Sequence, residues 1–389
     1  MVLTRRAYRE KMEVSRWLPN ELLVQIIQHF SKAEQATLCR ICKLFRDLCL
    51  PVLYRDVKIK NTQSVHSFCA GVIENPSRAD TVRSLVLDLP YNPYTRIRRK
   101  LILTSLKLML RLTHLSISPC VLDNRHGGRC ALLEECSLPR LISCDITVPR
   151  WGVLDSPLQN STADLVAVFL ARHPTLKHVR IQVDSYDSGS CRMVTSPSIR
   201  VSLPNLECYE GDAVFMPAID AMDLKEVRLV WPSKDEDIEK IVTRISPMTN
   251  PDVSFICSHV YWGDRSLDQI MTAVSTHMPH PRTLRLRCFG TFPFSTLNHN
   301  TIRRITECLP KFTKLVHLAI HHGRDYYAAS RGNKDKDRVA VKRWGESCPT
   351  LEACFLNYYA WRKVGGRWEE YSIEEFWILA GLPDLTAYY

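Results

Sequence analysis

The chain has 389 residues, of which 45% are apolar and 24% charged, and 52 basic against 41 acidic residues give a formal net charge of +11. This composition marks a globular, soluble chain, long enough for two or three ordinary domains or for one elongated repeat domain with an appendage. No run of about 18 uncharged apolar residues occurs, which argues against a transmembrane helix, and the charged start MVLTRRAYREKMEV lacks the apolar core of a secretory signal.

The 15 cysteines are scattered singly, and many stand where a small apolar residue would serve. Without a secretory signal they read as free thiols in a reducing compartment, so the cytoplasm or nucleus is expected. The basic balance is compatible with an acidic protein partner, with nucleic acid, or with a plain basic surface. The densest basic runs (Arg96, Arg98, Arg99, Lys100 and Lys334, Lys336, Arg338) carry no interleaved aromatics, which argues against a base-stacking surface.

Taken in chain order, residues 1–15 form a basic arm expected to be flexible. The stretch LPNELLVQIIQHF follows, with Leu22, Leu23, Ile26, Ile27 and Phe30 on one side of any helix it forms. At about 100° per residue these side chains cover an arc of roughly 140°, wider than one packing stripe needs. Part of that arc (Leu23, Ile27, Phe30) is expected to pack internally, and part (Leu18, Pro19, Leu22) to remain open for a partner. A second helix is expected over SKAEQATLCRICKLFRDLC, from the spacing of Leu38, Ile41, Cys42, Phe45, Leu48 and Cys49. Ser31 and Glu34 stand at capping-box spacing at its start. Pro51 is expected to stop that helix or to open a short third one, PVLYRDV.

From about residue 80 a phrase of the form P-x-L-x-x-(apolar) recurs: PRLISCDI at Pro139, PTLKHVRI at Pro174, PNLECYEG at Pro204 and PTLEACFL at Pro349. VRSLVL, LTHLSI, LKEVRL and LVHLAI are related units, and PDVSFI and PRTLRL are weaker ones. Each ends in the alternation of a short strand with one buried face. Amphipathic helical stretches lie between them at Thr162 to His173, Asp235 to Ile245, Arg265 to Met278 and Asn300 to Leu309. Such a strand-helix repeat cannot bury its apolar faces unit by unit and must stack as an array. The last residues, 358–389, are rich in Trp and Tyr (Trp361, Trp368, Trp377, Tyr388, Tyr389) and read as a terminal cap.

The residues Leu18-Pro19-x-Glu21-Leu22, then Ile26 and Ile27, Leu38, Ile41-Cys42-Lys43 with Phe45, and Pro51-Val-Leu53-Tyr54 together resemble an F-box, here bounded at 16–58. Gln35-Ala36 departs from that family's usual helix start, and Phe45 stands where Trp is common. The repeat region over 59–357 resembles divergent leucine-rich repeats, although the asparagine that usually follows each strand is mostly missing. The pairing of these two resembles the substrate receptors of Skp-cullin-F-box ubiquitin ligases. That resemblance implies an α/β fold, with three N-terminal helices followed by a solenoid whose curved parallel sheet carries its helices on the convex side. It further implies a non-catalytic chain without a cofactor. A Skp-family adaptor would dock on Leu18, Pro19, Glu21, Leu22, Ile26, Leu38, Ile41, Cys42, Lys43, Phe45, Leu53 and Tyr54 and bring a cullin with it. The alternatives are a repeat scaffold acting outside the ligase and a basic nucleic-acid-binding protein.

No Walker A, H-E-x-x-H, G-x-S-x-G or G-x-G-x-x-G signature occurs, so no enzyme activity is expected. Cys39-x-x-Cys42 has no second pair at zinc-finger spacing and reads as apolar packing or adaptor contact rather than a metal site. In strands of the form L-x-x-L-x-L the intervening residues point away from the leucines. That rule places His178, Arg180, Arg228, Arg285, Arg287, His317 and His321 on one face, beside Ser116, Asp145, Gln182, Glu226 and Phe355. The arginines suggest a stripe that captures an acidic or phosphorylated protein substrate. Glu226 weakens the idea.

Overall fold

The computed structural model describes residues 18–89, 99–122, 131–148, 162–183, 197–231, 237–259, 264–288, 297, 299–322, 334–357 and 359–381. The basic arm over 1–15, Arg96 and Arg98, and Tyr388 and Tyr389 lie outside them. Chain contacts define two units, one of Met1–Asp123 with Arg129–Cys144, the other of Asn124–Gly128 with Asp145–Tyr389.

The first unit opens with three helices, α1 (Asn20–Gln28), α2 (Lys32–Leu38) and α3 (Lys43–Leu53). The long second helix expected from the sequence is thus two helices. The chain breaks between Cys39 and Cys42, where Cys42 has extended backbone and becomes the N-cap of α3. The apolar spacing runs across the break although Ile41 and Cys42 are exposed there, so periodicity alone does not reveal it. Pro51 lies inside the last turn of α3 rather than ending it. There it forgoes one backbone bond while the chain is already leaving the helix. Ser31 and Glu34 do form the capping box at the start of α2: the Glu34 carboxylate accepts from Ser31 N–H at 2.8 Å, and the Ser31 hydroxyl accepts from Glu34 N–H at 3.3 Å.

Strand structure begins earlier than the sequence suggested, with β1 (Asp56–Ile59) immediately after the helices. It pairs in parallel with β2 (Ser84–Leu87), which pairs in parallel with β3 (His114–Ile117). Two helices, α4 (Thr62–Glu74) and α5 (Arg99–Leu108), pack on each other between these strands. Val65, Cys69 and Val72 of α4 and Ile102 and Leu106 of α5 are buried at about one-turn spacing. Cys144 ends the first unit within β4 (Ser143–Val148).

In the second unit the strands β5 (His178–Val183), β7 (Cys208–Asp212), β9 (Leu224–Trp231), β10 (Thr249–His259), β11 (Thr283–Cys288), β12 (His317–His322) and β13 (Ala353–Leu356) pair in that order, every pair parallel. Two short strands, β6 (Val201–Ser202) and β8 (Ile219–Asp220), form a separate parallel pair. Every repeated phrase singled out in the sequence holds one of the strands. The helices α6 (Thr162–Ala171), α7 (Ile238–Ile245), α8 (Asp264–His277) and α9 (His299–Cys308) fall where their spacing placed them, and α10 (Lys334–Ser347) grows out of the basic run at Lys334. α7 packs on α8, α8 on α9 and α9 on α10, and Trp344 Nε1 of α10 donates to Thr306 Oγ1 of α9 at 3.0 Å. The architecture is therefore a helical N-terminal region followed by a mixed α/β region with a large, mostly parallel sheet.

Residues 358–389 were expected to cap the array. Part of this stretch is instead an antiparallel hairpin, β14 (Tyr359–Val364) and β15 (Arg367–Tyr371), which extends the sheet beyond β13. Gly365 and Gly366 make its turn, both at positive φ (56° and 83°), which a side chain would resist. The alternation W-R-K-V-G-G-R-W-E-E carries this hairpin signal plainly, although the aromatic content draws attention first. The following helix, α11 (Ile373–Leu379), turns back over the sheet. Phe376, Trp377 and Ala380 pack with Ile256, Ala319, Ala353, Phe355 and Ala360. Side chains alternate along a strand, so Ile256, Ala319 and Phe355 face α11 while Cys257, Leu318, Ile320 and Leu356 fill the opposite side. All four residues of β13 are buried, as a strand covered on both faces requires.

Candidate functional site: an open apolar helix face and a closed sheet face

Two ridges run along α1. Leu23 and Ile27 form the inner one and are buried at 8% and 2% exposure. Leu22 and Ile26 form the outer one, continuing the line of Leu18, and remain 43%, 45% and 38% exposed. Residues four apart lie nearly one above the other on a helix, so the arc divides into two rows rather than blurring from one into the other. Phe30 was expected inside, yet it is exposed. Helix α1 ends at Gln28 and His29 is its C-cap, so Phe30 leaves the helical phase on which that expectation rested.

Gln35, which departs from the F-box pattern, is buried here. Its Nε2 donates to the carbonyls of Ile27 and Phe30 at 3.0 and 2.9 Å, closing the end of α1. Lys32 Nζ similarly donates to Val52 and Leu53 carbonyls at 3.0 and 3.2 Å, at the end of α3. These two side chains fix the three helices relative to one another.

Of the residues assigned to adaptor docking, Leu18, Pro19, Glu21, Leu22, Ile26, Ile41, Cys42 and Lys43 are exposed, whereas Leu38, Phe45, Leu53 and Tyr54 are half-buried. Tyr54 is engaged within the chain: its ring stacks on Phe68 with centroids 6.2 Å apart, and the Arg78 guanidinium carbon lies 5.7 Å from its centre. Leu44 is exposed at the start of α3 and belongs with the open apolar residues, although sequence spacing did not single it out. Cys49 is buried, and burial together with nearby Cys39 and Cys42 pushes its thiol up to about 11, so it remains neutral.

On the sheet, the register places Arg180 opposite Glu210, Glu210 opposite Arg228, Arg228 opposite Ile256, and Ile256 opposite Arg285. Arg180, Arg228 and Arg285 thus share one face and one row, with Arg287 two residues further along β11 on the same face, but the row is not an open basic stripe. Arg180 lies 3.8 Å from Asp145 and 3.2 Å from Glu210. Arg228 bonds Glu210 at 3.2 Å and Glu226 at 2.6 Å. Three carboxylates therefore neutralise two guanidinium groups, each about a third exposed or less. His178 stands exposed at the edge of the same face.

Further along, the face is covered. Arg285 is 3% exposed, with its guanidinium carbon 4.5 Å from the centre of the Trp377 ring. Arg287 and His317 are buried, and His321 is buried with its ring stacked on Phe355 at 6.1 Å. Burial is the largest effect on His317 and holds its pKa below the usual histidine value. Helix α11 thus occupies the place where an acidic ligand was expected. Strand alternation locates the face, but only tertiary structure reveals that the chain's own end fills it.

Among the described residues no group of three or more His, Cys, Asp or Glu side chains is arranged to hold a metal ion, and no helix is long and apolar enough to cross a membrane. Residues 17–60 match the family model described as F-box-like, so the three helices and β1 constitute an F-box-like domain. The chain has no match among curated proteins.

Proposed function

We propose that the chain is a non-catalytic substrate-recognition subunit of a cullin-RING ubiquitin ligase. The observation that carries this reading is the open apolar set on the F-box-like domain: Leu18, Leu22, Ile26, Phe30, Ile41 and Leu44. Contiguous exposed apolar residues on a soluble domain mark an interface, and F-box domains generally bind Skp-type adaptors. A cullin would be reached through that adaptor. The chain itself makes and breaks no bonds. It raises the local concentration of a bound protein near the ubiquitin-charged enzyme. Work of this kind fits the cytoplasm or nucleus.

The region beyond the F-box-like domain is read as divergent leucine-rich repeats stacked as a solenoid. Its support is the chain-order pairing of parallel strands, from which only β6 and β8 stand aside among the described strands, the helices between most of them, and Asn357 at the end of β13. Asn357 stands in the left-handed region (φ 55°) and donates from Nδ2 to Asp337 Oδ1 at 2.9 Å, both residues buried. With β10 to β13 closed by α11, substrate contact on this face is assigned to the part that retains solvent access, around the exposed His178 and the half-buried Arg180 and Arg228. Its alternating charges suit a protein surface of mixed sign rather than a purely acidic one.

The test is affinity capture of the full chain beside Leu22→Ala with Ile26→Ala. Each side chain contributes about 2 kcal/mol when fully buried by a partner, so the double variant should lose adaptor binding by roughly two to three orders of magnitude. Its melting temperature should match the parent's, because neither side chain is in the core. Unchanged adaptor recovery would refute the docking assignment.

A further inference from the structure

In the first unit the backbone places arginines together where the parallel strands begin. Arg83 N–H donates to the Arg55 carbonyl at 2.8 Å, and Thr113 N–H donates to the Arg83 carbonyl at 2.8 Å. Ile142 N–H donates in turn to Thr113. Arg55 and Arg83 are therefore neighbours at the starts of β1 and β2. On the next two strands the ladder residues are Thr113 and Ile142, and Arg111 and Arg140 each stand two residues before them, one same-side position back from Arg55 and Arg83. Arg55, Arg111 and Arg140 are exposed and Arg83 is half-buried. Among the described residues none of the four is in an ion pair. Asp56 follows Arg55 in sequence and is exposed, and the Asp80 carbonyl accepts from Arg83 Nη1 at 2.6 Å.

The second unit uses the same ladder position differently. Glu207 N–H donates to the Lys177 carbonyl and Lys225 N–H to the Glu207 carbonyl, both at 2.8 Å. There the side chains alternate in sign: Glu207 bonds Lys177 at 2.8 Å and Lys225 at 2.7 Å, which draws its pKa down to about 2. The fold can thus accommodate a self-neutralising ladder at this position, whereas the first unit sets Arg83 beside Arg55, with Arg111 and Arg140 near enough to act on it. Burial lowers the pKa of Arg83, and Arg111, Arg140 and Arg55 lower it further, against the opposing influence of Asp80. Like charges held this close are unfavourable until an anion joins them.

We infer that Arg55, Arg83, Arg111 and Arg140 form a docking surface for an acidic, carboxylate-rich protein segment, separate from the apolar helix face. Guanidinium forks bind carboxylates two bonds at a time. Four successive strand starts at about 4.8 Å spacing extend roughly 14 Å, enough for about three same-side carboxylates of an extended peptide. Leu110, exposed beside Arg111, adds an aliphatic contact. It offers no ring for base stacking, the feature that would favour a nucleic acid.

The experiment measures binding of a fluorescein-labelled peptide of alternating Glu and Leu to the full chain, against the same peptide with Gln for Glu and against single-stranded RNA. Arg111→Glu with Arg140→Glu is the diagnostic variant, because both side chains are exposed and carry no hydrogen bond that the fold needs. Arg338→Glu with Lys342→Glu, exposed on α10, makes the same change in net charge elsewhere. The Glu peptide should bind and the Gln peptide should not. Affinity should fall about tenfold in the diagnostic variant, the combined effect of several exposed ion pairs, and stay within about twofold in the control. The adaptor-docking variant Leu22→Ala with Ile26→Ala should bind the peptide normally, so the two assignments fail independently. No binding of the Glu peptide, or equal losses in the diagnostic and control variants, would overturn the surface. RNA bound more tightly than the peptide and lost in the same variant would overturn the choice of partner.

Discussion

At the scale of single residues, Asp212 shows how the fold sets a charge. It is buried at the end of β7 and accepts from Val183 N–H at 2.7 Å, yet desolvation raises its pKa to about 7 from an ordinary value near 3.8. Between those two values the folded chain holds a proton that the unfolded chain has released. The stabilisation is complete below roughly pH 4 and is lost as pH rises toward 7, at up to about 1.4 kcal/mol per pH unit. Asp212→Asn removes this titration and keeps the carbonyl oxygen for Val183. Thermal melts should therefore show the variant more stable than the parent at pH 8, with the difference shrinking toward pH 5. A parallel pH dependence in both proteins would count against the assignment.

At the scale of elements, the docking of α11 is the most consequential packing event. Trp377 meets Phe355 at 5.0 Å, Phe376 at 4.9 Å and the Arg285 guanidinium on its ring face. Trp377→Ala should cost about 3–5 kcal/mol, as loss of a large buried aromatic does. Its neighbour Ile378, 77% exposed, should tolerate alanine within about 0.5 kcal/mol. Denaturant melts of the two variants give the comparison directly. The strands and most helices were legible in the sequence because alternation and one-turn spacing are local signals. The break between α2 and α3 was not, because the exposed Ile41 and Cys42 of the connection fall on the same spacing as the half-buried Leu38 and Phe45 and so mimic one continuous stripe. The pairing of Arg180 and Arg228 with Glu210 was half legible. Arg228 and Glu226 are visible on one strand, but Glu210 reaches the row only through the register of β7. The closing of the face by α11 joins Arg285 to Trp377 across a separation that no local pattern spans.

For the whole molecule, the open apolar set on the F-box-like domain is a liability as long as nothing covers it. Expressed alone, the chain should self-associate at high concentration, and co-expression with a Skp-family adaptor should raise the monodisperse yield several-fold by covering that face. Size-exclusion chromatography with light scattering distinguishes the cases. Equal behaviour with and without the adaptor would mean that the surface needs no cover. The position of α11 also bears on how the protein is made. The strands β10 to β13 all precede Phe376 and Trp377 in sequence, so they leave the ribosome first. During synthesis, the apolar residues Ile256, Ala319 and Phe355 and the cationic Arg285 must wait uncovered until α11 has been made. A chain truncated before residue 373 would present the same surface permanently, apolar and cationic area of the kind that makes incompletely packed states prone to aggregate.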